Sequence, residues 1–348
     1  MRSRTILATP PGYTIKEQLE QRGMTQKEFA VRMDMSEKHI SQLINGEVRL
    51  TPNTAMRLEA ILGLSASFWN NLEACYQEKK LRAEEENAMD ADTELLKEMP
   101  YAEMVSLGWM EKATRAVDKV KNLRKYFEVA RLVIIDNLKT PAIAYRRLTS
   151  KEAKDYVLAV WIQKAKLEAR AIKVLPINLQ ELASRLKEIR ELTTKAPEEF
   201  YPKLKEILSD CGIALVCLPH MKGSYLHGAS FVDGKKIVMA LTVRGRDADK
   251  FWFSLFHEIG HILNGDINKP DGPAEKDEQL ADKFAGDVLI PPDDYKRFVI
   301  EKDFSFSSVK KFATNEGIDA GIVVGRLQKE GEINFNQLNS LKKQYQII

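Results

Sequence analysis

Apolar residues in the first seventy positions recur at three- and four-residue steps and are cut at short intervals by cap and stop signals, the pattern of several short helices. Residues 14–22 read as a first helix closed by Gly23. Thr25-Gln26-Lys27-Glu28-Phe29-Ala30 opens a second, with Thr25 facing Glu28 as a capping box. Met33-Asp34-Met35 makes a short turn, Ser36 caps a third helix over residues 37–44, and Asn45-Gly46 ends it. Residues 73–98 are strongly charged, with Glu84-Glu85-Glu86 in their middle, and read as an exposed helix or connector. Helical periodicity returns over residues 100–194. Tyr156, Val157, Val160, Trp161 and Ala165 share one stripe and Leu179, Leu182 and Leu186 another, with Trp109 and Trp161 assigned to the core.

The texture then changes. Residues 212–218 and 229–232 read as strands, and Asp233-Gly234 is a hairpin signal ahead of a third strand over 236–241. Next comes a run that is uncharged from Phe251 to Leu263 except for Glu258, as suits a helix beneath a cleft, with Asp247 as its cap and Asn264-Gly265 as its end. A further helix carries Glu278, Phe284, Ala285, Val288 and Leu289 and is stopped by Pro291-Pro292. Residues 295–348 read as helix and polar turns with no identifiable chemistry.

The candidate chemistry begins at His257-Glu258-Ile259-Gly260-His261. Residues four apart share a helix face, so the two imidazoles can grip one Zn2+ together. Glu258 lies about 100° further round, where it reaches a water at the metal instead of the metal itself. A hydrolytic zinc site needs a third protein ligand and an open position for water. Glu278 is assigned as that ligand, with Glu275 and Asp277 as alternatives that a loop can swing in. Glu278 is favoured because Asp282, one helical turn on, is then placed to accept the free ring N–H of a ligand histidine. In this scheme zinc polarises the scissile carbonyl, Glu258 takes the proton of the attacking water and passes it to the leaving amine, and Tyr225 or His227 donates to the oxyanion. An edge strand beside the metal can align an extended chain, so a polypeptide substrate is expected.

The stretch His257-Glu258-Ile259-Gly260-His261, with Glu278-Gln279-Leu280-Ala281-Asp282-Lys283-Phe284-Ala285 and Leu289-Ile290-Pro291, resembles the ImmA/IrrE family of zinc metallopeptidases over roughly residues 200–300. The resemblance implies a gluzincin-type fold, zinc-dependent endopeptidase activity, and a specific protein substrate such as a partner DNA-binding repressor. The expected fold class is then mainly α with a small β-sheet. It comprises an all-α domain over 1–78, a helical middle region over 79–195, and an α+β zincin-like domain over 196–348.

At the N-terminus, two short helices joined by a tight turn and locked by Phe29, Ala30, Ile40 and Leu43 form a helix-turn-helix. Its second helix enters the major groove of double-stranded DNA, where Lys38 suits guanine, Gln42 adenine and Glu37 the amino group of cytosine, with Ser36 and His39 on the same outer surface. Gln26, Lys27, Asn45 and Arg49 are assigned to phosphates, and Arg2 and Arg4 to a flexible arm. Residues 24–30, 40–46, 50–59 and Phe68-Trp69-Asn70-Asn71-Leu72 resemble the Cro/CI-type helix-turn-helix of HigA-like antitoxins. That resemblance implies a homodimer on a palindromic operator, repression of its own genes, and a toxin or repressor as protein partner.

Composition changes this picture little. A chain of 348 residues with 44% hydrophobic and 30% charged residues suits two or three ordinary globular domains. No apolar run of membrane-spanning length appears and residues 1–7 lack a signal-peptide core, so a cytoplasmic protein with no membrane partner is expected. Cys75, Cys211 and Cys217 form no C-x-x-C pair and are expected to be small buried hydrophobes. A net charge of +3 is too small to indicate nucleic acid by itself, so that expectation rests on the motif. Three readings follow: a regulator whose peptidase cuts a partner or itself, a repressor whose zinc domain is a non-proteolytic sensor or scaffold, and, least favoured, a general peptidase tethered to DNA.

Overall fold

The computed structural model describes residues 2–137, 155–224, 227–242, 247–269 and 272–345. The chain divides into two units, Met1–Lys97 with Arg115–Val120, and Glu98–Thr114 with Lys121–Ile348.

The first unit is built on α1 (Gly12–Gln21), α2 (Gln26–Met33), α3 (Glu37–Asn45), α4 (Pro52–Leu62) and α5 (Ala66–Leu95). Their boundaries follow the cap chemistry. Thr25 accepts from Glu28 N at 3.1 Å and Ser36 from His39 N at 3.2 Å. Asp34 (φ 53°) and Gly46 (φ 72°) turn left-handed to end α2 and α3. The Glu28 carboxylate turns outward to Arg32 at 2.7 Å, in place of the reciprocal bond that the capping-box pattern predicts. The turn is also held from outside: Arg57 of α4 donates to Met33 O at 2.6 Å and Asp34 O at 3.1 Å, satisfying carbonyls at the end of α2. Ile15, Phe29, Met33, Ile40, Leu58 and Trp69 fill the core.

Two expectations are corrected here. The boundary at residue 78 falls inside α5, a continuous helix of 30 residues whose Trp69, Tyr76 and Ala83 are all buried at seven-residue spacing. Nor are Arg2 and Arg4 a free arm. Glu86 of α5 accepts from Ser3 Oγ at 2.5 Å and from Thr5 Oγ1 at 2.8 Å, Arg4 approaches it at 3.8 Å, and Asn87 donates to Arg2 O at 3.2 Å. The Ser3 bond, followed by that of Thr5, holds the Glu86 carboxyl below its ordinary range.

In the second unit, α6 (Tyr101–Ser106), the later part of α7 (Ala116–Phe127) and α8 (Asp155–Arg170) precede α9 (Leu179–Ser184), α10 (Leu186–Glu191) and α11 (Pro197–Asp210). Strands β1 (Ile213–Leu218), β2 (Gly228–Asp233) and β3 (Lys236–Thr242) follow, then α12 (Ala248–Leu263), α13 (Glu275–Leu289), α14 (Pro292–Glu301), α15 (Phe306–Glu316) and α16 (Ala320–Glu330). The sheet order is β1-β3-β2, with β1 parallel and β2 antiparallel to β3. β1 and β3 are buried nearly throughout, so both their faces need cover. Helices α8 and α11 pack on β1, and α12 packs on β2 and β3. That demand explains why residues 155–195 join this unit and do not form a separate middle domain. Trp161 is fully buried and donates to Pro219 O at 3.3 Å, as its stripe predicts, whereas Trp109 is half-buried with Lys164 5.8 Å from its ring.

Helix α12 is anchored by aromatic packing: Trp252 lies 4.9 Å from Phe200 and donates to Tyr345 Oη at 2.8 Å. Asp247 precedes the helix but does not cap it, because its carboxylate pairs with Lys250 at 2.6 Å. Cys211 is buried and Cys217 half-buried, but Cys75 is exposed, contrary to the expectation for it. No helix among the described residues is long and apolar enough to cross a membrane.

Candidate metal centre and nucleic-acid interface

Helix α12 presents His257 and His261 to α13, which presents Glu278 and Asp282 in return. The two helices come together at Gly260: a Cβ there would meet Phe284 Cδ1 at 3.1 Å and Ala281 Cα at 3.2 Å. Small residues at 260 and 281 thus set the approach that brings Glu278 to the histidines. Glu278 Oε1 lies 2.8 Å from His261 Nε2, Glu278 Oε2 lies 3.6 Å from His257 Nε2, and the two Nε2 atoms are 3.0 Å apart. Glu275 is exposed, and Asp277 is engaged with Lys269 and Ala274 N, so neither alternative carboxylate joins the cluster.

The ring tautomers follow from what stands behind each ring. His257 Nδ1 meets Asp282 Oδ1 at 2.9 Å, and His261 Nδ1 meets Asp266 Oδ2 at 3.0 Å. A carboxylate accepts, so each Nδ1 carries the proton and each Nε2 turns a lone pair inward. Two lone pairs and a carboxylate oxygen at these distances repel unless a cation or an extra proton lies among them. Four-coordinate zinc, with ligand bonds of about 2.0–2.1 Å, spaces its donors by about 3.3 Å, close to the separations seen. The donor set of two neutral imidazoles and one carboxylate is one that zinc takes, with a position left open.

The carboxylates divide in character. Burial, reinforced by the neighbouring Asp282 charge, pushes the Glu278 carboxyl up to about 7. Burial acts on Asp282 too, but the hydrogen bonds from His257 and Lys329 outweigh it and bring that carboxyl down to about 2. Asp282 therefore stays ionised behind His257.

Glu258 is 6% exposed and stands outside the donor cluster. A Cβ on Gly228 would come within 2.6 Å of Glu258 Oε1, so the first residue of β2 must be glycine to leave that carboxylate its place. Gly228, His227 and Glu258 share a cleft of about 1240 Å³ with His257, Glu278 and Asp282. His227 is exposed at its wall, and its carbonyl accepts from Thr242 N at 3.0 Å. Tyr225, the other expected oxyanion donor, lies outside the described residues.

The hydrogen bond from Thr242 to His227 fixes the alternation along the antiparallel pair. Gly228, Ser230 and Val232 consequently direct their main-chain groups away from β3, toward the open side of β2.

Two features escaped the sequence. Asp266 supports His261 from a single turn of 3-10 helix after Gly265 (φ 77°), where no periodicity marks it. The far C-terminal region, expected to hold no chemistry, lines the cleft with Arg326, Lys329, Phe335 and Lys342. Lys329 bonds Asp282 Oδ2 at 3.0 Å and stands 4.2 Å from the Phe253 ring.

In the first unit, Ile40, Leu43 and Ile44 bury one face of α3 and leave the other side polar. Gln26, Lys27, Ser36, Glu37, Lys38, Asn45 and Arg49 are exposed, while His39 and Gln42 are half-buried. Ser36 spends its acceptor on the cap, and Arg49 reaches Gln77 at 3.4 Å.

Comparison with known proteins bears on this first unit. Residues 15–69 match the helix-turn-helix family model. An uncharacterized HTH-type transcriptional regulator, YddM, of Escherichia coli (strain K12) is 35% identical over 63 residues, covering 18% of this chain and 67% of that protein. The solved structure of an addiction module antidote protein of a HigA family from Coxiella burnetii is 27% identical, covering 21% of this chain and 80% of that one, with a TM-score of 0.20.

Proposed function

The chain belongs, through residues 15–69, to the helix-turn-helix transcriptional regulators, and we propose that its second unit is a zinc-dependent endopeptidase that cuts a specific protein, a partner or the chain itself. The observation that carries this is the convergence of His257 Nε2, His261 Nε2 and a Glu278 oxygen, with a carboxylate behind each ring and Glu258 buried beside them but outside the set. Zinc held there supplies Lewis acidity, polarising a carbonyl oxygen and lowering the pKa of water.

The remaining chemistry belongs to the chain. Glu258 accepts a proton from the attacking water and returns it to the leaving amine. The open edge at Gly228, Ser230 and Val232 suits an extended peptide added as a further strand, and Gly228 would bring that peptide past Glu258. His227 at the cleft wall, or Tyr225, is the proposed oxyanion donor. Metal content tests the centre directly. The purified chain is expected to hold one zinc ion and His261→Ala none, read by elemental analysis; equal zinc in both would refute the assignment.

The first unit is proposed to act as a homodimer on a palindromic operator, with Lys38, Gln42 and Glu37 at base edges and Gln26, Lys27, Asn45 and Arg49 at phosphates. An antitoxin-like role with a toxin or repressor partner rests on the resemblance of residues 24–72. Lys38→Ala with Gln42→Ala is expected to cost about 2–5 kcal/mol against an operator selected from random sequences. Weaker, salt-dependent binding should survive, because the phosphate contacts remain. Mobility-shift titrations check this, and an equal loss on unrelated DNA would remove both residues from base recognition.

A further inference from the structure

We infer that Lys269 is a positioning residue of the proposed metal centre, holding the carboxylate behind His261 to the first turn of the helix that carries Glu278. The inference rests on the zinc reading and deepens it. His261 Nδ1 is held by Asp266 Oδ2 at 3.0 Å, and this carboxylate is among the few charged groups almost wholly buried, its side chain 3% exposed. Its other oxygen, Oδ1, takes the Lys269 ammonium at 2.7 Å. The same ammonium meets Asp277 Oδ2 at 2.6 Å, and Asp277 also accepts from Ala274 N at 2.8 Å in the first turn of α13. Asp277 is the residue before Glu278.

A closed circuit results. It runs from His261 through Asp266, Lys269 and Asp277 to Glu278, and the donor cluster completes it. Its parts lie on two helices and the segment between them, so the Lys269 ammonium ties the two carboxylates together beside the close contact at Gly260 and Ala281. Those carboxylates hold the Lys269 ammonium above its ordinary range, Asp266 contributing first. Without the ammonium, Asp266 becomes a buried charge facing a neutral ring, and Asp277 loses the partner that ties the start of α13 to the end of α12.

His257 has a parallel arrangement, Asp282 behind it and Lys329 behind Asp282 at 3.0 Å. The two lysines differ little in exposure, 57% for Lys329 and 42% for Lys269, but Asp282 is 45% exposed and open to water, whereas Asp266 and Asp277 are 3% and 18% exposed. Lys329 touches one carboxylate near the cluster, Asp282, and its other contact is with the Phe253 ring, not with a second carboxylate. The circuit whose carboxylates are shielded from water is therefore the one whose loss the metal should feel.

The test is zinc affinity of the full chain by chelator competition, with the Co2+ absorption spectrum as a second probe of ligand geometry. Lys269→Met is expected to weaken zinc binding by about 10- to 100-fold, the usual consequence of losing an outer partner of a metal ligand, and to alter the Co2+ spectrum. Lys269→Arg, which can still span two carboxylates, should restore most of both. Zinc affinity and Co2+ spectrum unchanged in Lys269→Met overturn the inference while leaving the zinc reading intact. A wild-type chain that takes up no zinc overturns both. Where Lys269→Met does not fold, Asp277→Asn keeps an acceptor for Ala274 N but weakens the ion pair; a smaller loss supports the circuit, and an unchanged affinity overturns it.

Discussion

Glu258→Gln is expected to bind zinc and DNA as the wild type does while losing at least about 100-fold in the rate at which its protein substrate is cut, the range that a general base contributes being about 10²–10⁴-fold. The substitution is nearly isosteric, so the place that Gly228 leaves for the side chain is still filled. Glu258 is not among the three converging donors, so the metal keeps its ligands. What is lost is the capacity to accept a proton at a buried position beside the cluster. Zinc stoichiometry, DNA binding and cleavage of the partner or of the chain, followed by gel and mass spectrometry, measure the three properties separately. The regulatory consequence separates the two leading readings. If relief of repression persists undiminished in Glu258→Gln, the second unit senses or scaffolds and does not cut; if it disappears with zinc retained, proteolysis is the regulatory step.

The two ends of the chain were legible in the sequence to different depths, for physical reasons. The side-chain cluster proposed to hold metal was readable wherever its residues lie on regular helices. His257 and His261 one turn apart, and Glu278 and Asp282 one turn apart, announce shared faces by spacing alone, and Asp282 does stand behind His257. Asp266 was not readable, because its position depends on a left-handed glycine and one 3-10 turn, which place a side chain without any period. Lys329 comes from 47 residues beyond Asp282, and no local pattern encodes a contact of that range. Gly260 and Ala281 mark where α12 and α13 touch, although from sequence alone each is merely a small residue. In the N-terminal unit the caps were legible because Thr25, Ser36 and Gly46 act on their own neighbours. Arg2 and Arg4 looked like a free basic arm because the carboxylate that receives that segment, Glu86, lies some eighty positions away.

Gly12 gives the second large expected effect. By helix propensity, alanine in a first turn should be better than glycine by up to about 1 kcal/mol, and Gly12 opens α1 without needing a left-handed backbone. The packing dictates the reverse. A Cβ at this position would lie 2.0 Å from Ile44 O, 2.4 Å from Ile44 C and 2.4 Å from Ile44 Cα, all main-chain atoms of α3 that no rotamer change can move. Helix α1 touches α3 here, one residue before Asn45, so a side chain must lever the two helices apart and disturb the helix proposed to read DNA. Gly12→Val is therefore expected to destabilise the first unit by about 3 kcal/mol or more, at or beyond the upper end of overpacking costs. At about 4–8 °C per kcal/mol for a unit of this size, its melting transition should fall by roughly 12–24 °C. Gly23→Ala is the control: Gly23 has φ 61° but nothing within 4 Å of a Cβ, so only the backbone cost of about 1–2 kcal/mol applies. Circular dichroism melting of the full chain, with DNA binding at low salt, reads both variants. The second unit has its own hydrophobic core, so its transition should stay in place. A Gly12→Val chain that melts no lower than Gly23→Ala would show that α1 and α3 do not pack backbone against side-chain-free backbone as described.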